Sequence, residues 1–321
     1  MEQKNIIFRM AARCEAAGRH LNEDNYQISD DLAAGQWGFT ADRQVNLGDK
    51  GALMVVCDGM GGMNAGEVAS AIAVKVVKEC FDTANLTNDI ISSPTKIKQF
   101  IKDTIQRADA TIKEQGAANK DYEGMGSTIV MAWLLNNTVY IGWCGDSRAY
   151  RYNPKTGLER LSHDHSYVQN LIDAGELTED LAFDHPNSNI ITRSLGDTNG
   201  TAQPDVKSYD VTDEDIIMLC SDGLCGNMRD NDIKTIIEQN QLSMQQCRDE
   251  LWEADRRAEW HDNVTITLLQ ILAGCSSTEI QKHIDKSNKL QQSNKRLKIL
   301  LSVIIALIVI GLALYFYLTC K

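Results

Sequence analysis

Five short acidic clusters recur along the chain: Glu23-Asp24, Asp58-Gly59-Met60-Gly61-Gly62, Asp146-Ser147-Arg148, Asp222-Gly223 and Asp262-Asn263. They end or follow stretches that read as β-strands. Taken singly, Asp-Gly after a strand is ordinary turn chemistry. Taken together, several carboxylates at the strand ends of one acidic domain would repel one another unless a cation lay among them. A set of oxygen donors without a His or Cys cluster selects a hard ion, Mg2+ or Mn2+, with water completing an octahedron. Gly59, Gly61 and Gly62 let the backbone approach closely, so that a carbonyl can join Asp58 on such an ion. The GxxxxGK[ST] pattern of a nucleotide-binding phosphate loop is absent.

The elements that must position these clusters are legible from apolar periodicity and turn residues. Strands are expected over residues 52–57, 128–135, 138–143, 148–152, 158–161, 215–220 and 264–272, because β-branched residues crowd each run and Gly, Asp or Asn ends it. Asn136-Asn137 between two apolar runs predicts a hairpin with a type I′ turn. Helices are expected over 66–81, 94–116, 230–239 and 243–260, the second with Pro94 early and Gly116 late. Hairpins with helices between them, rather than strict βαβ alternation, give an α+β class with antiparallel sheets covered by helices.

The chain has 321 residues, 43% of them hydrophobic, and a net charge of −12. The charge is unevenly spread. Residues 275–321 hold seven Lys or Arg against Glu279 and Asp285, a net of +5 that leaves the first 274 residues at −17. A body so acidic repels nucleic-acid phosphate, so no nucleic-acid partner is expected. Nine cysteines without a CxxC pair indicate a reducing compartment and no disulfide framework. Residues 1–9 lack the apolar core of a secretory signal.

Residues 299–318 are twenty positions without a charge, enough at about 1.5 Å per residue to span a hydrocarbon core of about 30 Å. They are read as a single transmembrane helix. Tyr315 and Tyr317 lie near one interface, and Lys295, Arg296 and Lys298 near the other. The positive-inside rule then leaves the preceding residues in the cytoplasm. The organisation expected is one domain over 1–274, a basic juxtamembrane spacer over 275–298, the helix over 299–318 and a short tail over 319–321.

The clusters also lie in a recognisable order. Gly18-Arg19-His20-Leu21-Asn22-Glu23-Asp24 comes first, then Val56-Cys57-Asp58-Gly59-Met60-Gly61-Gly62, Gly126-Ser127-Thr128 and Gly145-Asp146-Ser147-Arg148. His163-Asp164-His165-Ser166, Ile191-Thr192-Arg193-Ser194-Leu195-Gly196, Ser221-Asp222-Gly223-Leu224 and Asp262-Asn263-Val264-Thr265 follow. In this order the sequence resembles, over roughly residues 8–272, the bacterial branch of the PPM or PP2C-type metal-dependent Ser/Thr protein phosphatases.

The resemblance implies a sandwich of two antiparallel β-sheets flanked by helices, with a centre for two Mn2+ or Mg2+ ions at one end. By position, Asp58 would bridge both ions and the Gly59 carbonyl would bind one of them. Asp222 and Asp262 would complete the first ion's ligands, Glu23 and Asp24 would hold waters around the metals, and Asp146 with Asp222 would take a third, weaker ion. Arg19 matches the arginine that grips the substrate phosphate, with Arg13 a weaker alternative. A metal-activated water would then attack phosphorus in line, without a covalent intermediate.

Some positions depart from the pattern. Met60 and Met63 stand where relatives carry a His suited to protonating the leaving group, which would fall instead to a metal-bound water. His163 and His165 are assigned structural or substrate-positioning roles. The 33 residues between Asp24 and Asp58 are expected to form an extended hairpin at the rim of the site, and residues 166–189 a mobile flap beside it.

The function expected is metal-dependent hydrolysis of phosphoserine and phosphothreonine on proteins, opposing a Ser/Thr kinase at a bacterial inner membrane. Two alternatives remain at this point: a catalytically inactive docking module, and a phosphohydrolase of small-molecule phosphates.

Overall fold

The computed structural model describes residues 6–61, 65–259 and 261–275. The chain divides after Cys275, and the first unit is the one described here. Among the described residues no helix is long and apolar enough to cross a membrane; residues 299–318 lie outside them.

Twelve strands are present among the described residues: β1 (Ile7–Glu15), β2 (Asp24–Ser29), β3 (Val45–Asn46), β4 (Ala52–Met60), β5 (Gly126–Ser127), β6 (Ile129–Leu135), β7 (Thr138–Cys144), β8 (Arg148–Asn153), β9 (Gly157–Arg160), β10 (Asp205–Asp210), β11 (Ile216–Cys220) and β12 (Val264–Ala273). Seven α-helices accompany them: α1 (Ala65–Cys80), α2 (Pro94–Ala118), α3 (Tyr167–Asp173), α4 (Glu179–Phe183), α5 (Asp222–Cys225), α6 (Asp230–Gln239) and α7 (Met244–Arg257). One sheet runs β3-β1-β12-β11-β8-β9. The other runs β10-β7-β6-β4-β2, with β5 on β4.

Side-chain alternation builds the layers. In β4, Ala52, Met54 and Val56 face the other sheet, whereas Leu53, Val55 and Cys57 face α1 and α2. In β11, Ile217 and Leu219 join the inter-sheet core, whereas Ile216, Met218 and Cys220 pack under α5, α6 and α7. The α+β sandwich expected from the sequence is therefore present, in four layers.

Several expectations need correction. The Asn136-Asn137 hairpin forms with Leu135 opposite Thr138, but only Asn136 has positive φ, at 52°. A type I′ turn needs both central residues there. Helix α7 stops at Arg257 rather than 260, where Glu259 takes a φ of 62°. Residues 30–51 are not at the rim of the site. β3 pairs with Ile7 and Phe8, at the end of β1 opposite to Glu15, and Asp42 accepts the Met244 amide at 2.7 Å. This segment therefore caps the start of α7 at the pole of the sandwich away from Asp58.

Asp255, late in α7, is fully buried. Its Oδ1 accepts from Asn227 at 2.7 Å while its Oδ2 has no partner, and burial raises its carboxyl from 3.8 to about 6. The unfolded chain ionises first as pH rises, so stability falls between about pH 4 and 6 and levels off above. Two pKa units correspond to roughly 3 kcal/mol. Asp255→Asn keeps the acceptor and removes the charge. Its melting temperature relative to wild type is expected to be higher at pH 8 than at pH 4.5, and a difference independent of pH would show that Asp255 carries no such penalty.

Candidate active site

Strand pairing gathers the acidic clusters at one end of the sandwich. On adjacent strands, Asp24 opens β2 directly opposite Asp58 of β4. Asp222 opens α5 just after β11, Asp146 lies in the turn between β7 and β8, and Asp262 lies two residues before β12. Each sheet thus delivers its carboxylates where its strands end.

Asp24 clamps the sheets to one another. It is buried, and its Oδ2 accepts from Ser221 Oγ at 2.6 Å and from Thr265 Oγ1 at 2.7 Å, both on the opposite sheet. Burial raises its carboxyl to about 7 against those two hydrogen bonds, with the charges of Asp222 and Asp262 adding to the rise. Asp58 is pushed well above the ordinary carboxylate range by burial and by its neighbours Asp222, Asp24 and Asp146. Asp222, close beside Asp58, is raised as well, by burial above all. Asp146 is also pushed well up, by burial and by Asp222 and Asp164.

Oδ1 of Asp24, Asp146 and Asp222 each have no hydrogen-bond partner although buried. Buried carboxylate oxygens without partners are costly, and like charges crowded together are more so. An all-oxygen donor set of this kind fits a hard divalent cation. Three of the assigned residues, Asp58, Asp146 and Asp222, form one cluster. Asp262 stands at its edge, its Oδ2 held by Arg19 at 2.8 Å and its Oδ1 by the Asn263 amide at 2.8 Å. As the side chains stand, no three Asp, Glu, His or Cys side chains among the described residues are grouped tightly enough to hold an ion. Asp58, Asp222 and Asp262 are the residues that would hold such a cation.

The remaining assignments divide. Glu23 lies against the first turn of α1, its carboxylate close to Gly66. Burial raises that carboxyl. Gly59 donates its amide to the Glu23 carbonyl at 3.1 Å, locking β4 to the loop before β2. Arg19 is half exposed and reaches the His261 carbonyl at 2.9 Å as well as Asp262, so its guanidinium is at the mouth of the cluster. Arg13 is elsewhere: its guanidinium lies 3.5 Å over the Trp252 ring and 3.5 Å from Asp249, on α7. As an odd-numbered residue of β1 it faces the helices with Arg9 and Ala11.

His163 and His165 hold the base of the flap. His165 is buried, takes the Gly145 amide on Nδ1 at 3.2 Å and meets Asp205 through Nε2 at 3.0 Å. Burial lowers its pKa. His163 pairs with Asp173 of α3 at 2.8 Å. Neither lines the cleft of about 470 Å³ that opens between the flap and the Asp146, Asp222 and Asp262 loops.

Two residues matter that the sequence reading did not single out. Asn263 donates to the Ala16 and Leu21 carbonyls, at 2.9 and 2.8 Å, and accepts the Glu23 amide at 2.9 Å, so one side chain shapes the loop carrying Arg19. Thr128 accepts the Asp58 amide through Oγ1 at 3.1 Å, donates its own amide to the Asp58 carbonyl at 2.8 Å and meets Ser147 at 2.7 Å. Both sit in motifs already noticed; a polar side chain within an otherwise apolar strand start was the available signal.

The family model for protein phosphatase 2C matches residues 40–265. The chain belongs to the protein phosphatase 2C family. The serine/threonine phosphatase stp of Listeria welshimeri is 30% identical over 254 residues, covering 78% of this chain and 91% of that one. The crystal structure of serine/threonine phosphatase Stp1 from Staphylococcus aureus superposes with a TM-score of 0.69 at 30% identity, covering 82% of this chain and 95% of that one. The catalytic domain of the phosphatase PstP, solved in complex with two manganese ions, gives a TM-score of 0.65 at 25% identity, covering 84% of this chain and all of that one.

Proposed function

We propose that this chain is a Mn2+- or Mg2+-dependent protein phosphatase that hydrolyses phosphoserine and phosphothreonine esters. The observation that carries the reading is the junction of two sheets where buried oxygens of Asp24, Asp146 and Asp222 lack partners, beside Asp58 and the exposed Arg19. Family membership and relatives named as serine/threonine phosphatases support the activity.

Asp58, the Gly59 carbonyl, Asp222 and Asp262 are the residues that would hold two ions, with Asp146 and Asp222 available to a third. When bound, such ions supply an activated water and positive charge against the phosphoryl oxygens. Asp24 keeps Ser221 and Thr265, and hence the Asp222 and Asp262 loops, in fixed register. Glu23 fixes the start of α1. Freed from Asp262, Arg19 offers a planar fork to two oxygens of the phosphate, which a lysine cannot do. No cysteine nucleophile is needed: Cys57 and Cys225 are buried, and burial is a main cause of their pKa lying well above the usual thiol value.

The finer reading adds a cognate Ser/Thr protein kinase as the opposing enzyme and a membrane anchor at residues 299–318, supported by their lack of charge and by the adjacent Lys295, Arg296 and Lys298. Such an anchor would raise the enzyme's concentration near membrane-associated phosphoproteins. The catalytic domain would lie in the cytoplasm.

Hydrolysis of a phosphothreonine peptide by the purified protein tests the reading. Turnover is expected with Mn2+ and none with EDTA. Metal-independent turnover, or none with Mn2+, would contradict it, and turnover of sugar or nucleotide phosphates in preference to the peptide would transfer the assignment to small molecules.

A further inference from the structure

The flap wall of the cleft has little apolar material to hold it. Of the five residues of α4 only Ala182 is buried, and Leu181 is 65% exposed. What reaches this helix from the body of the protein is charged. Arg229 pairs with Asp184 at 2.8 Å and with Asp180 at 3.7 Å, and its guanidinium lies 4.3 Å over the Phe183 ring. Arg160 reaches Glu179 at a longer 3.9 Å.

Arg229 is itself well placed to act as a fixed point. It is the N-cap of α6, its carbonyl accepts the Asp232 and Ile233 amides at 2.9 and 3.1 Å, and the preceding Met228 is buried. It lies seven positions after Asp222 and lines the same cleft. A guanidinium that is both forked between two carboxylates and stacked on a ring uses every mode of contact it has. Each exposed pair is weak alone, but three contacts from one side chain act together on five residues.

We propose that Arg229 is a positioning residue for phosphoprotein substrates. It latches residues 180–184 to the segment carrying Asp222, so that the flap forms a fixed wall for the peptide on either side of the phosphoresidue. The proposal rests on the phosphatase reading above. The latch weakens binding when lost, because an unrestrained wall must be ordered each time a peptide binds.

The test compares wild type and Arg229→Ala with Mn2+, using a phosphothreonine peptide and p-nitrophenyl phosphate, together with hydrogen exchange of residues 177–187. Expected are a peptide KM about five- to ten-fold higher with kcat within two-fold, a smaller change for p-nitrophenyl phosphate, and faster exchange confined to the flap. Arg229→Lys should recover part of the KM, and the reversed pair Arg229→Asp with Asp184→Arg should recover more than either single change. Unaltered exchange and KM, or an equal loss of kcat on both substrates, would overturn the latch. If wild type turns over neither substrate, the phosphatase reading itself falls, whereas the exchange comparison still decides whether Arg229 holds the flap.

Discussion

Asp58→Asn is expected to abolish turnover and, in the presence of EDTA, to raise the melting temperature. The two effects have one cause. Burial and the charges of Asp222, Asp24 and Asp146 push the Asp58 carboxyl well above its usual range, so its ionised form opposes folding at neutral pH. For such a group stability is fullest at low pH and is lost as pH rises through the folded-state value. Asparagine removes that charge and keeps the side chain's size. The same change removes a residue proposed to hold both cations, so the stabilisation that Mn2+ gives to the folded state should vanish. Losing the ions' contribution to the transition state should lower kcat/KM by about 10³-fold or more. Thermal melts with EDTA and with Mn2+, alongside peptide kinetics, check both signs. A variant less stable than wild type in EDTA would contradict the electrostatic account.

Gly223→Ala is expected to be strongly destabilising. A Cβ at Gly223 would fall within the radius of the Asn263 carbonyl oxygen and close to the Val264 side chain. Neither neighbour has room to retreat, because Asn263 is tied to Ala16, Leu21 and Glu23 by its own side chain. The displacement would pass from the Asp222 loop to the Asp262 loop and on to Arg19. A loss of about 3 kcal/mol is expected, on the order of 10 °C in melting temperature, with activity falling as the carboxylates part. Gly200→Ala is the control, since a Cβ there meets nothing within 4 Å, and it should melt within about a degree of wild type. Similar melting of the two variants would show that the Gly223–Asn263 approach does not hold the site together.

Much of this architecture was legible in the sequence because the chemistry is carried by short clusters at strand ends. Strands β6 and β7 are largely apolar runs, and helices α2 and α6 start at Pro94 and Asp230 as expected, α2 running on to Ala118, two residues past Gly116. Other strands were illegible for physical reasons. β1 carries Arg9 and Arg13 on its helix-facing side, where they are satisfied by Gln270 and by Trp252 and Asp249. Their charge breaks the apolar pattern that a strand in a core would show. β2 and β10 are largely polar, β2 because Asp24 must reach across to Ser221 and Thr265, and β10 because it is an edge strand.

At the site, residue types could name the carboxylates but not who faces whom. Glu23 and Asp24 are neighbours in sequence, yet one lies against α1 and the other clamps the two sheets. Nor could spacing reveal that residues 30–51 fold back to cap α7 at the far pole, since that depends on Asp42 meeting Met244, some two hundred positions away.

The central claim is that the carboxylates at Asp58 gather to hold two divalent cations. Equilibrium dialysis against Mn2+, with the bound metal counted per chain, tests it most directly. Two ions per wild-type chain, and their loss in Asp58→Asn, are the predicted result. No bound Mn2+ in folded wild type, or undiminished binding in the variant, would contradict it.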